Sequence, residues 1–228
     1  MTIASGTCGT SLNWVLNDDY SLVITGSGAM TDYTSTSAPW NSYKTQMTSL
    51  SLPEGLTKIG NYAFYQCIGF TSLTLPSTVT TIGEYAFSNC SGFTGTLTIP
   101  SGVISIGSGA FNNCTGFTGT LTIPSGVTTL NSYTFFGCSG FTSLSLPSSV
   151  TTIGSYAFNN CSGFTGTLTI PSGVTAMGAY AFYNCKGFTS LSLPSTVTTI
   201  GTYAFNNCTG FTGALTIPSG VKIIEASA

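Results

Sequence analysis

Short bursts of alternating apolar and polar residues run along most of the chain, and the same burst returns many times. From Thr96 to Ile99, two threonines alternate with Leu97 and Ile99. That two-residue period predicts a strand with aliphatics on one face and hydroxyls on the other. Pro100 closes the strand, because proline has no N–H to give a ladder. The preceding coil reads in full from Pro76: Val79 and Ile82, a stop at Gly83, then Tyr85-Ala86-Phe87-Ser88-Asn89-Cys90. The last segment suits a short helical turn, with Ala86, Phe87 and Cys90 on one face. Ser91-Gly92 supplies the corner into Phe93 and the next strand. Val79, Ile82, Ala86, Phe87, Cys90, Phe93, Leu97 and Ile99 therefore point inward and fill a narrow tube.

The period is explicit in the prolines, which fall at Pro53, Pro76, Pro100, Pro124, Pro147, Pro171, Pro194 and Pro218, always 23 or 24 residues apart. Cys67, Cys90, Cys114, Cys138, Cys161, Cys185 and Cys208 keep the same beat, each with a phenylalanine three residues before and three after. A fixed period in the twenties means stacked coils that share one continuous core, a parallel β solenoid. Short coils read Phe-Thr-Ser-Leu, as at Phe141 to Leu144, whereas long ones read Phe-Thr-Gly-Thr-Leu or, once, Phe-Thr-Gly-Ala-Leu. The extra residue comes with a glycine, which predicts a bulge.

The ends depart from the repeat. Leu12, Trp14 and Leu16 alternate, Asn17-Asp18-Asp19 reads as a turn, and Tyr20, Leu22 and Ile24 alternate again, a β-hairpin signal. Residues 1–48 are therefore expected to cap the solenoid, and residues 49–228 to form about seven to eight coils. The last coil stops after Val221-Lys222-Ile223-Ile224, half way round and with no visible cap. End-to-end contact through this coil is one expectation.

Charge narrows the functions. Only 4% of residues are charged and the net charge is −2, so the clustered cations that nucleic acid needs are missing. No apolar run approaches the roughly 20 residues of a membrane span, so membrane insertion is not expected. The opening MTIASGTCG shows no signal peptide. The chain has no histidine, which removes the usual general base and metal ligand. Asp18, Asp19, Asp32, Glu54, Glu84 and Glu225 show no spacing that predicts convergence and read as solvated charges. No catalytic, cofactor or metal site is expected.

The pattern L-x-L-P-x-x-V-x-x-I-G-x-Y-A-F-x-x-C, recurring over about residues 49–221, resembles the BspA-like leucine-rich repeat family of bacterial and protist surface proteins. Gly6-Thr7-Cys8-Gly9, Trp14, Gly26-Ser27-Gly28-Ala29-Met30, Asp32-Tyr33 and Pro39-Trp40 resemble a segment found before such repeats. The resemblance implies a mainly β, leucine-rich-repeat-type solenoid on a secreted or cell-surface protein, with adhesion or partner binding as its role.

Four features compete as sites. Tyr62, Tyr85, Tyr133, Tyr156, Tyr180 and Tyr203 form a column broken at Gly109. Its rings could contact a protein or stack on sugars, or they could pack on one another and seal the tube. The cysteine column reads as buried free thiols rather than nucleophiles or disulfides. Thr96/Thr98, Thr120/Thr122 and Thr167/Thr169 read as an exposed strand face rather than an ice-binding lattice. Asn89-Cys-Ser, Asn113-Cys-Thr, Asn160-Cys-Ser and Asn207-Cys-Thr match the glycosylation sequon, but share one turn position that explains them. The expected function is non-catalytic binding or adhesion through protein–protein contact. The alternatives are a carbohydrate-binding module and a structural spacer in a longer surface protein.

Overall fold

The computed structural model describes residues 1–228. The solenoid is held by three parallel ladders of hydrogen bonds between successive coils. On the first face, Phe117–Thr122 pairs in parallel with Gly95–Thr96 and Phe141–Ser145, and Gly166–Thr169 pairs with Phe188–Ser192. On the second, two-residue strands stack from coil to coil. Leu56–Ile59, Thr81–Ile82 and Ser105–Ile106 form one parallel run. Thr129–Leu130, Thr152–Ile153, Ala176–Met177, Thr199–Ile200 and Ile223–Ile224 form another.

The third ladder is the expected helical turn. Ala86, Ser88 and Cys90 donate their N–H groups three residues back, at 3.4, 3.1 and 3.2 Å. The residues between them reach the next coil instead: Tyr85 N–H to Ser108 O at 2.9 Å, Phe87 to Ala110 at 2.8 Å and Asn89 to Asn112 at 2.6 Å. Tyr85 and Asn89 have φ of +51° and +60°, so each left-handed residue breaks the helix and turns its N–H along the solenoid. The turn is thus present but never propagates as an α-helix. The chain's one helical segment is the 3-10 turn Asn41–Tyr43.

The predicted bulge is present. Gly95, Gly119 and Gly166 take φ near +76°, and the strand register shifts just after Gly119 and Gly166. The extra residue is absorbed there, and the core columns on either side stay aligned.

The core is one apolar cluster running the length of the molecule. Phe64, Phe87, Phe111, Phe135, Phe158, Phe182 and Phe205 stack face to face with centroids 5.2–5.7 Å apart. A second ladder from Phe70 to Phe188 meets the first edge-on, as Phe87 does with Phe93 at 6.0 Å and 65°. Offset and edge-on pairs such as these add to area burial.

The cap extends this stack. The strands β1 (Thr2–Gly9), β2 (Leu12–Asn17) and β3 (Ser21–Gly26) form an antiparallel sheet. The β2–β3 hairpin is the predicted one; β1 is an addition that its Thr, Ser and Gly content hid. β3 then pairs in parallel with Ser49–Ser51, which joins the cap to the first coil. Trp40 stacks on Phe64 at 5.6 Å and 13°, and its Nε1–H donates to Ala63 O at 2.7 Å. Trp40 therefore closes the phenylalanine ladder from below. At the other end Leu215, Ile217, Ile223 and Ile224 are exposed.

Candidate functional site

All six tyrosines of the column occupy left-handed backbone, with φ between +51° and +61°. Each N–H donates to the next coil, for example Tyr156 to Ala179 O at 2.9 Å and Tyr180 to Thr202 O at 2.8 Å. Such a conformation costs a bulky residue roughly 1–3 kcal/mol. The rings recover part of it by stacking. Tyr133–Tyr156, Tyr156–Tyr180 and Tyr180–Tyr203 lie 4.7–4.8 Å apart within 15° of parallel. Tyr62 and Tyr85 stack at 5.1 Å. The rings are half-buried, so the column both packs on itself and leaves a rim of hydroxyls and ring edges in solvent. Burial, with neighbouring tyrosines in second place, pushes the Tyr62, Tyr133 and Tyr180 phenols up.

At Gly109 the column lacks a ring, with φ +61°. A Cβ there would stand 2.3 Å from the Tyr85 ring, which leans into the space.

The thiols are all free and buried. They also have a role that periodicity cannot reveal. Cys90 Sγ–H donates to Phe64 O at 3.0 Å, and the pattern repeats up the stack, from Cys114 to Phe87, Cys138 to Phe111 and onward to Cys208 and Phe182, at 3.0–3.1 Å. Burial raises every one, to about 11 at Cys8 and Cys208 and about 12 at Cys138. None is a thiolate near neutral pH. Ellman titration of the reduced native protein is expected to find the thiols from Cys67 to Cys208 slow to react and all eight reactive once unfolded. Rapid native labelling of several of them would refute this packing.

The remaining candidates are accounted for by the fold. Thr96, Thr98, Thr120, Thr122, Thr167 and Thr169 are exposed, but the register shifts after Gly119 and Gly166 interrupt any regular lattice. Asn89, Asn113, Asn160 and Asn207 are all left-handed, a conformation asparagine tolerates, and three of them join side-chain bonds between coils: Asn113 Nδ2 donates to Asn89 Oδ1 at 3.1 Å, and Asn184 Nδ2 to Asn160 Oδ1 at 2.6 Å.

Asp32 and Glu84 are exposed, as read for solvated charges, and both line one shallow groove of about 250 Å³ with Lys58, Asn61, Ser105, Ser108 and Asn131. Coils about 23 residues long bring distant positions together, and carboxylate spacing alone did not reveal it. Asp32 pairs with Lys58 at 2.7 Å and accepts from the Asn61 N–H at 2.9 Å. Its carboxyl lies below the ordinary range; desolvation, the largest influence, opposes this and is outweighed by these two donors together.

Fold and surface together define a capped leucine-rich repeat solenoid. The BspA type leucine-rich repeat model matches it in six copies over residues 41–165 and 118–228. The chain belongs to that family. Its fold is similar to the Treponema pallidum leucine-rich repeat protein, with 24% identity, 91% of each chain covered and a TM-score of 0.68. It is also similar to a leucine-rich cell surface protein of Faecalibacterium prausnitzii, with 25% identity, all of this chain and 77% of that one covered, and a TM-score of 0.54. No curated protein matches the chain. No helix is long and apolar enough to cross a membrane.

Proposed function

We propose that the chain is a non-catalytic binding module of a secreted or cell-surface protein, making adhesive protein–protein contact. The observation that carries this is the tyrosine column from Tyr133 to Tyr203, four half-buried rings stacked in register along one face. Tyrosine supplies large contact area and a hydroxyl at low entropic cost, which is why it concentrates in protein interfaces. The family and the cell-surface relative support the location.

Affinity on such a surface is distributed and weakly charged. Screening a panel of extracellular-matrix proteins is expected to find a partner whose affinity changes less than about tenfold between low and high salt. Tyr156→Asn, Tyr180→Asn and the double variant should weaken it in steps, since asparagine keeps the left-handed backbone. A salt effect larger than that, complete loss from one substitution, or hydrolysis of the partner would overturn the reading.

A further inference from the structure

The second ladder is broken at one place. Gly83, Gly107, Gly154, Gly178 and Gly201 each donate their N–H to the preceding coil at 2.8–3.1 Å. Glycine is required there, because a Cβ on Gly83, Gly107 or Gly178 would meet the preceding coil's backbone within 2.4–2.6 Å. The equivalent residue between Gly107 and Gly154 is Asn131. Its N–H makes no such bond; its side-chain Nδ2 donates to Ile106 O at 2.7 Å instead. The parallel strands accordingly stop at Ser105–Ile106 and restart at Thr129–Leu130.

This break lies in the groove lined by Asp32, Lys58, Asn61, Glu84, Ser108 and Asn131. Asn61, Glu84 and Ser108 immediately precede Tyr62, Tyr85 and Gly109 in the chain, so the groove lies beside the backbone of the tyrosine column, although none of those three column residues lines it. Tyr85 stacks on Tyr62 on one side and leans over Gly109 on the other. The groove crosses five layers, roughly 19 Å at the strand spacing.

We propose that this groove binds a neutral oligosaccharide. Amides, hydroxyls and carboxylates that alternate along a shallow trough match the hydroxyls of successive sugar rings. Asp32, Lys58 and Glu84 leave the trough net negative, which disfavours sulfated or sialylated chains. The site is separate from the Tyr133–Tyr203 surface.

The test titrates the full chain with cellohexaose, mannohexaose, chitohexaose and a heparin hexasaccharide, followed by amide NMR shifts and calorimetry. At least one neutral hexaose is expected to bind saturably, with shifts centred on residues 83–85, 105–109 and 130–132, and heparin is expected not to. Asn131→Gly restores what the other coils carry, so it should fold. It should weaken the hexaose about tenfold, the equivalent of one lost contact. It should leave any matrix-protein binding at Tyr133–Tyr203 unchanged, so failure here and failure of the adhesive reading remain distinguishable. The proposal falls if none of the three neutral hexaoses binds, if heparin binds best, or if the variant binds as the parent does. It also falls if only a matrix protein perturbs these amides.

Discussion

Raising the pH from 8 to 11 is expected to unfold the protein, in the presence of reductant and without denaturant. Every thiol is buried, and its pKa in the folded state lies above the ordinary 9.0, at about 11 for Cys8 and Cys208 and about 12 for Cys138. The unfolded chain therefore gives up its thiol protons first. Since stability changes with pH as the protons bound in the unfolded state minus those bound in the folded state, it is complete below pH 9 and falls above it. Each thiol removes about 1.4 kcal/mol per pH unit in that window. A net stability of roughly 5–15 kcal/mol cannot survive several acting together. The raised Tyr33, Tyr62, Tyr133 and Tyr180 act in the same direction.

On the acid side the chain has no histidine, and its lowered carboxylates, Asp18, Asp19 and Asp32, sit at or near the surface. Their contribution is present above the ordinary 3.8 and is lost only as pH falls below it. Urea midpoints should thus be flat from pH 5 to 8 and collapse above 9. A midpoint at pH 11 equal to that at pH 8 would refute the buried thiol column.

Phe158→Ala should cost about 3–5 kcal/mol in equilibrium unfolding. The ring is fully buried, stacked on Phe135 at 5.7 Å and on Phe182 at 5.2 Å, and meets Phe164 edge-on at 6.2 Å. Its removal opens a cavity bounded by rings that the coils above and below hold in place, so the site collapses poorly. Pairing the change with Phe182→Ala should give less than the sum of the two, because they share a contact. Glu84→Ala, on an exposed side chain without a hydrogen-bonded partner, should stay within about 0.5 kcal/mol. A loss at Phe158 no larger than that of Glu84→Ala would reject the inward face.

The inward columns, the bulge and the hairpin could be read from the sequence because burial and strand alternation leave a periodic trace. Backbone sign does not. Tyr85 and Asn89 look like helix residues by spacing, yet both have positive φ. A usable signal was present: glycine replaces tyrosine at Gly109 and asparagine at Gly137, and glycine at otherwise non-glycine positions indicates left-handed backbone. The groove was illegible for another reason. It includes Asn131, where one repeat differs from the rest, and periodicity records only where repeats agree. The antiparallel β1 (Thr2–Gly9) has no repeat to reveal it and only one buried residue, Cys8.

The glycine bulge also bears on how this molecule can lengthen. Short and long coils alternate from Pro124 to Pro218, but the two intervals from Pro76 to Pro124 are both long, which places a phase slip beside the groove. A segment copied by unequal recombination keeps every bulge facing its shorter neighbour only if it carries two coils. A one-coil insertion would create a second phase slip elsewhere on the stack. A two-coil insertion would therefore preserve the alternation of short and long coils that a one-coil insertion breaks.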